Sequence, residues 1–260
     1  LTVLFGALES SKSINSPELE LVLIDYVENG KNPDHLREDA LQAICGISLN
    51  LDETFLSILQ KVDQREIKDD KQYLLGALLE HLYPTVVTPE KITKYLVEPC
   101  SGFIGSYYML LVYRLVEKTP SSCLKVLAES AIEWKEMSKI SKRQFGFLNS
   151  LTLRLLTEFY ESARIEDIYG WLSINTGEYD RNTFGHSEKD KLRVLLNSNE
   201  KKLFEVFLHH IDVSTEKNNS AYSFMWRFDD LTANSLSQQV FIEEAYQYVI
   251  STDNEHKRKI

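Results

Sequence analysis

The stretch "LLGALLEHLYPTVVTPEKITKYL", Leu74 to Leu96, decides how the chain is read. In its first half Leu74, Leu75, Ala77, Leu78, Leu79, Leu82 and Tyr83 cover more than half of a helical circumference. Pro84 follows; it lacks an N–H and ends the helix. Thr88 and Pro89 then restart one, with the proline ring at the first helical position, where a missing N–H costs nothing. The second half offers only Ile92, Tyr95 and Leu96, a narrow i, i+3, i+4 stripe. A helix that is apolar on most sides must be covered on most sides, and stacking such helices in hairpins supplies that cover.

The same punctuation recurs outward from this stretch. Pro17, Pro33 and Pro120 follow Ser16, Asn32 and Thr119, whose side-chain oxygens can cap a helix, whereas Pro99 acts as a stop like Pro84. Apolar periodicity predicts helices near 2–11, 17–29, 33–47, 52–62, 70–83, 89–97, 103–118, 120–135, 141–162, 164–174, 187–197, 199–212, 220–231 and 233–251. The expected fold is all-α, an α-solenoid of stacked antiparallel helix hairpins in a HEAT- or TPR-like superhelix. "LREDALQAI" and "YLLGALLEHL" share a core in which Ala40–Leu41 and Ala77–Leu78 stand 37 residues apart, a helical-repeat spacing. Gly76 inside such a helix costs about 1 kcal/mol relative to alanine, so close approach of a neighbouring helix is its expected reason. Residues 1–174 are expected to form HEAT-like repeats. Residues 175–190, "NTGEYDRNTFGHSEKD" with Gly177 and Gly185, should form an exposed loop, and 187–260 further repeats of the same array.

Composition restricts function. With 29 basic and 39 acidic residues the formal charge is −10, a field that repels phosphate backbones and anionic lipid, so neither nucleic acid nor membrane is an expected partner. Cys45, Cys100 and Cys123 are scattered and form no C-x-x-C pair, which argues for reduced cysteines in a cytoplasmic protein. The longest apolar run, "FIGSYYMLLVYRLV" from Phe103 to Val116, is shorter than the roughly 18–20 residues a membrane span needs. The chain begins without Met, inside an amphipathic pattern, which suggests a piece of a longer polypeptide.

Motifs for chemistry are lacking. Gly30–Lys31 has Asp25 where a phosphate-binding loop needs glycine and Asn32 where it needs serine or threonine. His209 and His210 are adjacent on a helix and point about 100° apart, unlike a metal-binding i, i+4 pair, so one should face the core and the other water. No catalytic, cofactor-binding or metal-binding residue is expected, and no cofactor. Tyr107, Tyr108 and Tyr113 crowd one helix and Trp226, Arg227 and Phe228 another; these residue types anchor protein interfaces and are the candidate contacts for a protein partner or trigger.

The segment "DKQYLLGALLEHLYPTVVTPEKITKYLVEPCSGFIGSYYMLLVYRL" resembles part of the helical-repeat region downstream of the ATPase module in large bacterial NACHT-type STAND NTPases. Asp70, Leu75–Gly76–Ala77, Leu79, Leu82, Tyr83–Pro84, Thr88–Pro89–Glu90, Lys94–Tyr95–Leu96, Pro99, Phe103–Ile104–Gly105 and Tyr107 carry the likeness. It implies a non-enzymatic sensor or autoinhibitory arm, with a possible intramolecular contact to an upstream ATPase module. Two alternatives stand beside it: a structural α-solenoid unrelated to NTPases, or a helical enzyme whose site assembles from distant residues around perturbed carboxylates or His209 and His210.

Overall fold

Among the described residues, most of the apolar runs form helices whose greasy arcs face a neighbour. A computed structural model describes residues 1–10, 16–100, 104–137, 145–175, 184–215, 243, 247 and 248. Among the described residues there are helices and no strand, so the protein is all-α. The chain divides into two compact units, Leu1–Leu127 and Ala128–Ile260.

In the first unit the elements are α1 (Thr2–Ser10), α2 (Pro17–Glu28), α3 (Asp34–Ile44), α4 (Leu51–Asp63), α5 (Tyr73–Leu82), a 3₁₀ turn (Ile92–Tyr95), and α6 (Ser106–Met109), which runs through a π turn (Leu110–Arg114) into α7 (Leu115–Lys118). Helix α1 packs on α3, α3 on α5 and α5 on α6, while α2 packs on α3 and α4 on α5. The wide arc of α5 is thereby consumed: Leu74, Gly76, Ala77, Leu78, Leu79 and Leu82 are all buried. Gly76 shows why its position excludes a side chain. A Cβ there would lie 2.0 Å from the Tyr107 backbone nitrogen and 2.6 Å from its Cα. Gly46 is similarly placed against α1, 2.2 Å from the Leu8 carbonyl oxygen.

In the second unit α8 (Leu124–Met137, beginning just before the unit boundary) is followed by α9 (Phe145–Phe159), α10 (Ile165–Ile174), α11 (His186–Asn197) and α12 (Glu200–Thr215). Helix α9 packs on α10 and α11, and α12 on α10 and α11, a two-by-two set of hairpins. Phe147, Leu151, Leu155 and Ile168 are fully buried.

Polar ties join elements far apart in the chain. The Tyr83 hydroxyl meets Thr119 Oγ1, 36 residues on. Because that threonine donates its own proton to the Leu115 carbonyl (2.8 Å), Tyr83 is the donor. The Tyr160 hydroxyl donates to the Leu196 carbonyl at 3.1 Å, again 36 residues on. Ion pairs Lys61–Glu28, Lys94–Asp63 and Arg114–Glu80 span 33, 31 and 34 residues.

Three local expectations are corrected. The helix expected over 89–97 is a single 3₁₀ turn, Ile92–Tyr95. The Tyr107 hydroxyl, donating to the Tyr95 carbonyl (2.6 Å) and accepting from the Val97 N–H (2.9 Å), takes up backbone groups that a longer helix would have paired internally. Pro33 occupies the N-cap position of α3 rather than its first turn, and Asn32 donates to the Tyr26 carbonyl instead of capping. Before α8 comes a 3₁₀ turn, Ser121–Cys123, and Thr119 is committed to Tyr83 and Leu115. Pro17, by contrast, stands at the start of α2 with Ser16 Oγ accepting from Leu19 N–H at 3.3 Å. Half of the expected loop, 176–183, lies outside the described residues; its last part is helical, since α11 begins at His186. The helices expected over 220–231 and 233–251 lie almost wholly outside them too.

Candidate functional site

The π turn is the feature from which the first unit's surface is built. Its signature is the Leu115 N–H bonding to the Leu110 carbonyl, five residues back instead of four. On an ideal α-helix, residues five apart point about 140° away from each other. The extra residue brings Tyr108 and Tyr113 together instead, their rings 6.3 Å apart and edge to face. Tyr113 is 59% exposed and Tyr108 half-buried. Ile104 (70% exposed) and Met109 are exposed apolar side chains of the same stretch of chain.

Tyr107 has a different fate. It is 2% exposed and its hydroxyl is spent on the Tyr95–Val97 backbone, so it is a core residue and is withdrawn as a contact. Burial pushes its phenol well above the ordinary range. Nothing local in the sequence separates Tyr107 from Tyr108; the close approach of α6 to Gly76 does. Trp226, Arg227 and Phe228 lie outside the described residues.

A groove of about 400 Å³ crosses three helices: Glu38 and Gln42 of α3, Tyr73 and Glu80 of α5, and Met109 and Arg114 of the α6 segment. Glu80 is neutralised by Arg114 (3.1 Å) and Lys118 (2.9 Å). Glu38 accepts from the Ser106 hydroxyl and, among the described residues, has no ion-pair partner. Burial pushes its carboxyl above the ordinary range, and the charges of Asp39 and Asp69 push it further, against the hydrogen bond from Ser106 and the weaker pull of His35. Asp69 is itself half-buried and raised by desolvation, although it caps α5 by accepting from Leu75 N–H (2.8 Å) and Leu74 N–H (3.2 Å). Nearby, the fully buried Arg37 donates to the Val27 carbonyl (2.6 Å) and the Lys68 carbonyl (2.7 Å), fixing α3 to the end of α2 and to the approach of α5.

This chemistry suits binding. A serine becomes a nucleophile beside a base that takes its proton, with donors aimed at the charge that develops. Here Ser106 is held by a carboxyl whose own affinity for a proton is raised only by burial and acidic neighbours, and Arg114 is engaged by Glu80.

In the second unit a shallow groove of about 750 Å³ runs along α9 and α11, lined by Leu153, Thr157, Val194 and Leu195 among others. His210 is buried against the Tyr169 hydroxyl (Nδ1 at 3.1 Å), and half-buried His209 packs edge-on against the same ring, at 5.1 Å. No group of three or more His, Cys, Asp or Glu residues that could hold a metal exists among the described residues. Cys45, Cys100 and Cys123 form no disulfide and are half-buried, and burial pushes the Cys45 thiol up to about 11. No described helix is long and apolar enough to cross a membrane. Compared with family models, curated proteins and solved structures, the chain matches none.

Proposed function

We propose that the chain is a non-catalytic arm of helical repeats, an α-solenoid of stacked antiparallel hairpins that binds a protein, and that it serves as the sensor and autoinhibitory arm of a larger bacterial STAND-type NTPase in the cytoplasm. The observation that carries this reading is the agreement of two independent periodicities. The apolar Ala–Leu cores recur 37 residues apart, and the tyrosine ties Tyr83–Thr119 and Tyr160–Leu196 each span 36. An array in which each hairpin packs on the next offers a surface that grows with each hairpin, and such surfaces are used for recognition. The likeness of the segment from Asp70 to Leu115 to the repeat region of NACHT-type proteins supplies the NTPase context. The coding sequence upstream of Leu1 tests it. A nucleotide-binding loop of the G-x-x-x-x-G-K-[ST] kind some hundreds of residues upstream supports the arm; a start codon next to Leu1 removes the NTPase.

A further inference from the structure

We infer that the groove crossing α3, α5 and α6 is the contact surface, and that it takes a basic segment of a protein partner, one arginine or lysine flanked by aliphatic side chains. This rests on the protein-binding reading and names the chemistry of its partner.

Three observations converge on that occupant. First, Glu38 is a half-buried carboxyl whose one hydrogen bond comes from Ser106 and whose electrostatic neighbours include Asp39 and Asp69. A carboxylate removed from water in acidic company is relieved most by an incoming cation. Beside His35, whose pull on Glu38 is weak, the cations of these elements have other partners: Arg37 the Val27 and Lys68 carbonyls and Asp34, Arg114 and Lys118 the Glu80 carboxylate. Second, the half-buried Gln42 amide lines the groove beside Glu38 and makes no hydrogen bond to any described residue, so it is available to a partner's backbone. Third, Ile104 and Met109 line the groove and stand exposed. An arginine or lysine brings both parts of the match, a charged head for Glu38 and a methylene stem for Ile104 and Met109. The overall charge of −10 would speed the approach of such a partner.

The test is fluorescence anisotropy of the whole chain with a fluorescein-labelled peptide carrying arginine at its centre and leucine on either side, against the same peptide with glutamate at the centre. The arginine peptide should bind and the glutamate peptide should not. Glu38→Gln, which keeps a group able to accept the Ser106 bond, should weaken binding about tenfold. Ile104→Ser, at a 70% exposed site where folding is not at stake, should weaken it several-fold. Glu53→Gln removes the same charge from the exposed surface of α4 and should leave affinity within about twofold. Equal losses for Glu38→Gln and Glu53→Gln, or no binding of the arginine peptide, overturn the inference. Either result leaves the upstream ATPase question untouched, so the two failures are distinguishable.

Discussion

Replacing Gly76 with alanine should destabilise the protein although alanine is the better helix former. In an open helix interior the change gains about 1 kcal/mol. At Gly76 the new methyl would sit 2.0 Å from the Tyr107 nitrogen and 2.4 Å from the Ser106 carbonyl carbon, both backbone atoms that cannot swing aside. Helix α6 has to retreat by more than an ångström, and overpacking of this kind costs about 1–3 kcal/mol, more when backbone must move. That retreat also stretches the two bonds by which the Tyr107 hydroxyl holds Tyr95 and Val97, worth about 1 kcal/mol each. The expected balance is a loss of about 2–4 kcal/mol, the lower figure if the two bonds are only weakened. The control is Gly170→Ala, inside α10, where a Cβ would meet nothing within 4 Å; it should gain up to about 1 kcal/mol. Urea titration followed by circular dichroism reads both. With a slope of about 2 kcal/mol per molar, Gly76→Ala should lower its transition midpoint by roughly 1 M or more. Equal or greater stability for Gly76→Ala would refute the close approach of α5 and α6.

Other substitutions address the polar ties between distant elements. Tyr160→Phe deprives the Leu196 carbonyl of its donor in a buried position and should cost about 1–2 kcal/mol by the same titration, whereas Ser162→Ala, at an exposed hydroxyl, should cost less than about 0.5. Arg37→Met leaves the Val27 and Lys68 carbonyls unpaired while removing a buried charge; the lost bonds should prevail, with a destabilisation of about 2–4 kcal/mol. Glu38 binds its proton more tightly in the folded state than at the ordinary value of 4.5, so its contribution to stability falls as pH rises from that value toward neutrality. Glu38→Gln should flatten that part of the stability–pH curve, leaving the share of Asp69, which is raised for the same reason, and an unchanged slope would count against the desolvation of Glu38. The Asp39 and Asp69 charges, which raise Glu38, and His35, which lowers it, remain in that variant.

Much of this molecule is set by local pattern. Apolar spacing and proline positions place α2 at Pro17–Glu28, α5 at Tyr73–Leu82 and α10 at Ile165–Ile174 within a few residues of where they are expected, because a helix's hydrogen bonds close within one turn and its apolar face is written in consecutive residues. Gly76 announces a close approach on the same ground, since a glycine inside a helix needs a reason. What the pattern omits is which partner each side chain meets. Tyr107 and Tyr108 are neighbours in sequence and of one type, yet one disappears under α5 while the other pairs with Tyr113 across a π turn that no residue of "YYMLLVYR" declares. The 89–97 segment has a helical stripe and becomes one 3₁₀ turn, since a hydroxyl from another element outbids its own backbone. Glu38 carries no mark of its groove in "LREDALQAI"; its neighbours Ser106 and Asp69 arrive from 68 and 31 residues away. Periodicity is a property of adjacent residues and survives in one dimension, whereas desolvation and charge are sums over everything within a few ångströms, and only the folded chain brings those terms together.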